Sequence, residues 1–392
     1  ISADNLYIDK AGFDAGINGL YDEVRRSRSG NTLNAVNAMM TGPAYLGTDN
    51  AYANWRDALE DIYNQWGAIN NPTVEQFRLE WAWLYETINA ANTIINRAEN
   101  PAVNWTSDEK NMTLAEARAI RACCYRHLTY MWGDVPLTLE ESSGDKIKTD
   151  WVRTPVAEVR AAMEADWLFA EQYLPVTSTL NGKILKGVVQ HYLAELYLAE
   201  GRNEEARDFA LKVTTNPQYA LVTARYGVNA TKPGTAFTDM FLNGNSNRSQ
   251  GNTEALWVLQ SELNVLGGES HNVMRRYWVN RYYSFTMRGT DNVAKSPFIV
   301  SEEFGGRGIG RYGATKWALS IYPTGDDRGS DFAWRFSYTI NNPKGIPTGY
   351  KLGDVVTLDR SSNEKTLNPN WPSTRKWDYA SPIDPNVDRA YN

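Results

Sequence analysis

Apolar residues recur at three- and four-residue intervals through the first 216 positions, and each such stretch predicts a helix. Phe13, Ile17, Leu20, Tyr21 and Val24 form one stripe, which stops before Ser29 and Gly30. Thr73 with Gln76 has the spacing of a capping box, and Phe77, Trp81, Leu84, Ile88, Ala91 and Ile95 follow it in a stripe that ends before Pro101. Thr113 with Glu116 repeats that signal ahead of Ile120, Cys124, Leu128 and Met131. Thr154 and Pro155 open another helix, which carries Val156, Val159, Met163, Trp167 and Ala170 to a stop at Leu174 and Pro175. The densest pattern lies at 183–216. Leu185, Val188, Val189, Tyr192, Leu193, Leu196 and Tyr197 fill one face, Gly201 ends the helix, and Ala206, Phe209, Ala210 and Val213 continue on a second. Ala194, Tyr197, Ala206 and Pro217 fall near the spacing of a tetratricopeptide repeat, although Ala210 stands where that repeat usually has a bulky ring. One helix pair cannot bury its own face, so neighbouring pairs are expected to stack on it.

From about Gln218 this periodicity is lost and Gly, Asn, Ser and Pro become frequent. Residues 255–259 read as a strand and the remainder as long irregular loops. The fold class expected is therefore mainly α. A tetratricopeptide-like scaffold would occupy 1–217, and a loop-rich, irregular ligand-binding region packed on it would occupy 218–392. Long loops carried by a helical scaffold are where binding residues concentrate.

Composition narrows the class. Of 392 residues, 42% are apolar and 22% charged, which excludes whole-chain disorder. There are 40 basic against 46 acidic residues and no Lys/Arg-rich run, so no nucleic-acid partner is expected. No apolar stretch approaches the ~20 residues of a membrane helix. Cys123 and Cys124 are adjacent, which gives neither a disulfide framework nor a zinc-ribbon spacing. The only histidines, His127, His191 and His271, fall in no H-E-x-x-H arrangement. Neither a metal site nor a cofactor is expected, and Cys124 reads as a small buried hydrophobe on its helix. The chain starts at Ile1 without a targeting segment and reads as a processed or trimmed form.

Three motifs invite a catalytic or cofactor reading and lack its context. Gly308-Ile309-Gly310-Arg311-Tyr312-Gly313 matches G-x-G-x-x-G but has no β/α alternation around it. Asp384, Asn386 and Asp388 take the first oxygen positions of a calcium loop, but Arg389 replaces its Gly and no closing Glu follows. The doublets Glu140–Glu141, Glu302–Glu303 and Asp326–Asp327 are sequence neighbours, which does not place two carboxyls across a glycosidic bond. With no G-x-S-x-G, P-loop or kinase signature, no catalytic residue is assigned.

The aromatic load of 14 Trp, 22 Tyr and 11 Phe is the most suggestive feature. Asp49, Tyr52, Asn54 and Trp55 set two rings among short polar side chains, and Tyr277, Trp278, Arg281, Tyr282 and Tyr283 do so more densely. Sugars present C–H faces to rings and hydroxyls to amides, carboxylates and guanidinium groups, so this mixture suits a shallow carbohydrate platform. These nine residues and Trp317 are the candidate ligand-binding residues. Trp317, Tyr322 and Trp334 form the alternative location should the platform lie elsewhere.

Several stretches together resemble the SusD/RagB family of outer-membrane glycan-capturing lipoproteins. Glu116, Arg118, Arg121, Ala122 and Tyr125, running on to Gly133-Asp134-Val135-Pro136-Leu137, resemble its "EAR-x-x-RA-x-x-Y … GDVPL" signature. Gly19-Leu20-Tyr21, Tyr85 with Ile88 and Asn92, Asp166 with Ala170 and Leu174-Pro175, Glu254 with Trp257, Asp327-Arg328 and Arg375-Lys376-Trp377 resemble further family steps in the same order. The lipid-bearing cysteine of the family and its last helical repeat after the "RKY" step have no counterpart here. The resemblance implies a helical repeat scaffold, a lipid tether at the cell-surface face of the outer membrane, and a SusC-like TonB-dependent transporter as partner. It implies an oligosaccharide or polysaccharide ligand, with peptide as an option within the family, and no catalysis. It transfers no ligand-binding residue. The rival readings are a helical glycosidase or lyase using two of the paired carboxylates, and a peptide-binding tetratricopeptide scaffold.

Overall fold

The computed structural model describes residues 2–29, 45–53, 71, 73–144, 147–260, 273–358 and 371–378. Two compact units divide the chain discontinuously. The first comprises 1–26, 78–221 and 253–269, and the second 27–77, 222–252 and 270–392. A single boundary at 217/218 was expected; the observed division instead assigns 27–77 to the loop-rich unit and 253–269 to the helical one.

The helices are α1 (Ala3–Leu6), α2 (Lys10–Ser29), α3 (Glu75–Arg97), α4 (Ser107–Trp132), α5 (Val156–Tyr173), α6 (Lys186–Ala199) and α7 (Asn203–Thr214). In the first unit α4 packs on α5, α5 on α6, and α6 on α7, the serial stacking expected of helical repeats. The sequence stripes become the buried faces. Phe13, Ile17 and Leu20 of α2 meet Ala91, Ile94 and Ile95 of α3 and Leu114, Ala117 and Ile120 of α4 in one core. Trp167 of α5 is sealed between α4, where its indole N–H donates to the Ala119 carbonyl (3.3 Å), and Tyr192 of α6, whose ring stacks on it at 5.3 Å.

Two local expectations are corrected. Thr113 and Glu116 do not open a helix; α4 starts earlier, where Thr106 and Glu109 close a reciprocal capping box. Residues 255–259 form no strand. They run extended in the helical unit, where the Trp257 indole N–H donates to the Gly182 carbonyl at 2.8 Å.

The residues that carry the family resemblance are structural. Arg121 makes two hydrogen bonds of 2.8 Å to Asp166 and a third to the Asn92 side-chain oxygen (2.7 Å). Asn92 in turn donates to the carbonyls of Thr138 and Glu140, fixing the chain that leaves α4. Glu116 accepts from the Tyr21 hydroxyl (2.6 Å) and from Lys183 (2.8 Å). Gly133 ends α4 at φ +68°, a conformation that disfavours side chains, and Asp134 accepts the Val156 N–H to cap α5.

The second unit contains α8 (Ala236–Asp239), α9 (Val273–Trp278) and α10 (Lys316–Ser320) among short antiparallel strand pairs. β1 (Ala51–Ala53) pairs with β4 (Tyr312–Ala314) and β2 (Met287–Arg288) with β3 (Ala294–Lys295). β5 (Trp334–Arg335) pairs with β8 (Ser373–Thr374) and β6 (Ser337–Thr339) with β7 (Val355–Thr357). Strands this short cannot build a sheet-based core, and aromatic clusters fill the unit instead.

Candidate functional site

Pairing of β1 with β4 sets Ala51 opposite Ala314 and Ala53 opposite Tyr312. Beyond the pair, Thr315 donates its N–H to the Asn50 carbonyl (3.0 Å) and its hydroxyl to the Asp49 carbonyl, a contact spanning 266 residues of sequence. The same hydroxyl oxygen accepts the Ala318 N–H (3.0 Å) and so caps α10. Asp49 thereby comes beside the helix that carries Trp317. Trp317 is 53% exposed, and a large ring left open on a capped, anchored helix presents a fixed face to solvent.

The segment after α10 continues the exposed aromatic character. Tyr322 and Trp334 are half-buried, and Ile321 and Phe332 are exposed. Gly329 lies so close to Tyr322 that a Cβ there would stand 2.6 Å from the tyrosine Cβ. The Arg328 guanidinium sits 5.5 Å from the Tyr322 ring centre and clasps Asp326 through Nε to Oδ1 (3.0 Å) and Nη2 to Oδ2 (2.6 Å). Those bonds hold the Asp326 carboxyl below the usual carboxylate range. The Trp334 indole N–H donates to the Arg328 carbonyl at 2.9 Å, tying the ring to the Asp327–Gly329 turn. α8 packs on that turn, and the Lys376 ammonium lies 4.8 Å and 5.0 Å from the Phe241 and Phe237 rings. Burial, and then the charge of Arg328, lower the Lys376 pKa.

This arrangement offers ring faces for C–H stacking and, beside them, a planar guanidinium–carboxylate pair for in-plane hydrogen bonds. Among the described residues there is no group of three or more His, Cys, Asp or Glu side chains placed to hold a metal. Glu141, from one of the doublets, is engaged by Arg97 at 2.8 Å and 3.0 Å.

The other sequence candidates fare differently. Tyr52, Tyr277, Trp278 and Tyr282 are buried, so their place on an exposed platform is corrected to core. Tyr277 and Trp278 share a cluster with Leu46, Val74, Met274 and Tyr312, and both rings pack on Tyr312 at 4.9 Å and 5.6 Å. Tyr282 stacks on Tyr338 at 5.0 Å in a second cluster and donates its hydroxyl to the Gly306 carbonyl. The physical reason is shared: with almost no sheet, the unit buries its densest run of rings. Tyr283 and Arg281 are half-buried, and the Tyr283 hydroxyl donates to the Gly308 carbonyl (3.0 Å). Asn54, Trp55 and the calcium-like positions 384–389 lie outside the described residues. The G-x-G-x-x-G glycines are steric: a Cβ at Gly308 would sit 1.8 Å from the Val279 carbonyl oxygen, and one at Gly313 would meet the Tyr52 hydroxyl at 2.7 Å.

Arg328, Phe332 and Lys376 were not singled out from the sequence as ligand-binding candidates. Isolated rings in a Pro/Gly/Asp-rich stretch, rather than rings in a dense run, were the signal that marks this surface.

Comparison with known proteins follows the same lines. Residues 15–198 match the family model SusD-like_3, described as "Starch-binding associating with outer membrane". SusD-like protein P2 of Formosa agariphila is 31% identical over 137 residues, which is 35% of this chain and 26% of that relative's length. The crystal structure of a SusD homolog from Bacteroides thetaiotaomicron superposes with a TM-score of 0.66 at 16% identity, covering 97% of this chain and 69% of that one. A laminarin binding SusD-like protein superposes at 0.62 and 19% identity, covering 93% and 76%. At these identities the structural likeness speaks for the fold.

Proposed function

We propose that the chain is a member of the SusD/RagB family, a reading that the family match over residues 15–198 supports, and that it captures oligosaccharide on the aromatic surface around Trp317, Tyr322, Arg328 and Trp334 without cleaving it. The observation that carries this reading is the exposed, anchored ring of Trp317 followed by the Tyr322–Arg328–Trp334 arrangement, which combines stacking faces with a rigid polar pair. Binding of laminarin by a protein of the same fold supports the ligand class. The reading includes attachment at the outer face of the outer membrane through an N-terminal lipid, and delivery of the glycan to a SusC-like TonB-dependent transporter. The family description, which names association with the outer membrane, supports the location. No helix among the described residues is long and apolar enough to cross a membrane.

Affinity electrophoresis through gels containing individual plant, algal and host polysaccharides tests the reading. Retardation by at least one polysaccharide, with no new reducing ends after prolonged incubation, is expected. New reducing ends that disappear when a carboxylate pair is mutated would establish the glycosidase reading instead.

A further inference from the structure

Pairing of β5 with β8 sets Trp334 opposite Thr374, and the chain then turns. In that turn the Arg375 N–H donates to the Ala333 carbonyl (2.8 Å) and the Lys376 N–H to the Thr374 hydroxyl (3.3 Å). Lys376 is thereby anchored two residues beyond the strand pair that carries Trp334. Its ammonium rests over the Phe237 and Phe241 rings, which meet edge to face at 5.1 Å, while the residue as a whole is exposed. Among the described residues no carboxylate pairs with this ammonium, and the charge that acts on it is the like charge of Arg328. The nearby acids are committed elsewhere. Asp326 clasps Arg328, and Asp378 serves both Arg335 (2.5 Å) and Arg375 (3.3 Å). Asp327, on the turn that carries Arg328, is not among the groups that act on Lys376. Partial desolvation and the proximity of Arg328 raise the cost of the Lys376 charge, and an anion beside both cations lowers it. A neutral hydroxyl accepts a hydrogen bond from the ammonium but leaves its charge unanswered. A carboxylate or sulfate accepts the bond and answers the charge.

We propose that Lys376, seated on Phe237 and Phe241 beside Arg328, is an anion-recognising corner of the aromatic surface, and that the oligosaccharide captured there carries carboxylate or sulfate groups. This rests on the glycan-capture reading and names the class of glycan. Trp334, whose indole N–H is tied to the Arg328 carbonyl at 2.9 Å, supplies a ring for the sugar that bears the anionic group.

Affinity electrophoresis of the whole protein tests it, through gels of polygalacturonate, alginate, chondroitin sulfate and carrageenan, of their methyl-esterified or desulfated forms, and of neutral laminarin and xyloglucan. The strongest retardation is expected from an acidic polysaccharide, weakening as salt is added and falling about tenfold when its charged groups are neutralised. Loss on esterification identifies a carboxylate as the recognised group, and loss on desulfation a sulfate. Lys376→Gln should weaken binding of the acidic polysaccharide about tenfold, and Lys376→Arg should retain most of it. Arg207→Gln, the same change of net charge made on α7, should leave it unchanged. Circular dichroism of each variant reports folding, and Lys376→Met, which keeps an apolar stem on the two phenylalanine rings, takes the place of Lys376→Gln if that variant misfolds. Tightest binding to a neutral polysaccharide, or acidic binding indifferent to loss of the Lys376 charge, would overturn this proposal and leave glycan capture standing. Retardation by no polysaccharide at all would overturn both.

Discussion

Arg121 of α4 holds Asp166 of α5 through two parallel hydrogen bonds of 2.8 Å, and both side chains are buried. Burial outweighs the guanidinium and pushes the Asp166 carboxyl up from its ordinary range. The pair joins two helices of the scaffold, and Asn92 of α3 completes it. Asp166→Ala leaves a guanidinium buried without its counter-charge, a change that typically costs ~3–5 kcal/mol. Denaturant unfolding should show a loss of that size, and an unchanged midpoint would show that the clasp does not hold the scaffold together.

Glu80 of α3 is only 1% exposed, and its Oε2 has no hydrogen-bond partner among the described residues. Burial raises its carboxyl from the ordinary 4.5 to about 8. The folded state thus keeps a proton that the unfolded state releases, so the Glu80 contribution to stability is fully present below about pH 4.5 and is lost as pH rises to about 8. The displacement corresponds to up to roughly 5 kcal/mol between the protonation states. Glu80→Gln should flatten this decline, and melting temperatures at several pH values between 5 and 9 will show it. Parallel pH profiles for the two proteins would refute the assignment.

Burial pushes the Cys123 thiol up to about 12 and raises that of Cys124 further out of reach of ionisation at neutral pH. Thiolate is the reactive form, so native protein should resist alkylation by iodoacetamide until it is unfolded. Rapid modification of either cysteine in the native state would contradict this.

The helical unit was legible because its signal is periodic. Leu84, Ile88 and Ala91 fall on one stripe and are all fully buried, and the stops at Leu174 and Gly201 correspond to helix ends. Thr113 misled because the capping-box spacing also occurs inside a helix, and only the Thr106 backbone conformation identifies the true start. In the second unit ring density was a poor guide. Tyr277 and Tyr282 lie in a ring-rich stretch of short polar residues that resembles a ligand loop, yet they fill cores that the minimal strand pairs leave open. Trp317 is exposed, and its position beside Asp49 depends on Thr315 and Asn50, a long-range pairing with no periodic trace in the sequence.

The central claim is that the surface around Trp317 and Trp334 binds glycan. Calorimetric titration with an oligosaccharide from whichever polysaccharide retards the protein, comparing wild type with Trp317→Ala and Trp334→Ala, tests it most directly. Binding energy concentrates in a few aromatic anchors, so loss of a true platform ring should cost ~2 kcal/mol, about thirtyfold in affinity. Tyr277→Phe, which alters a buried ring, should bind as wild type does. Thirtyfold weaker binding in at least one tryptophan variant that keeps its circular dichroism spectrum is the predicted result. Wild-type affinity in both tryptophan variants would contradict the account and move the glycan surface elsewhere on the protein.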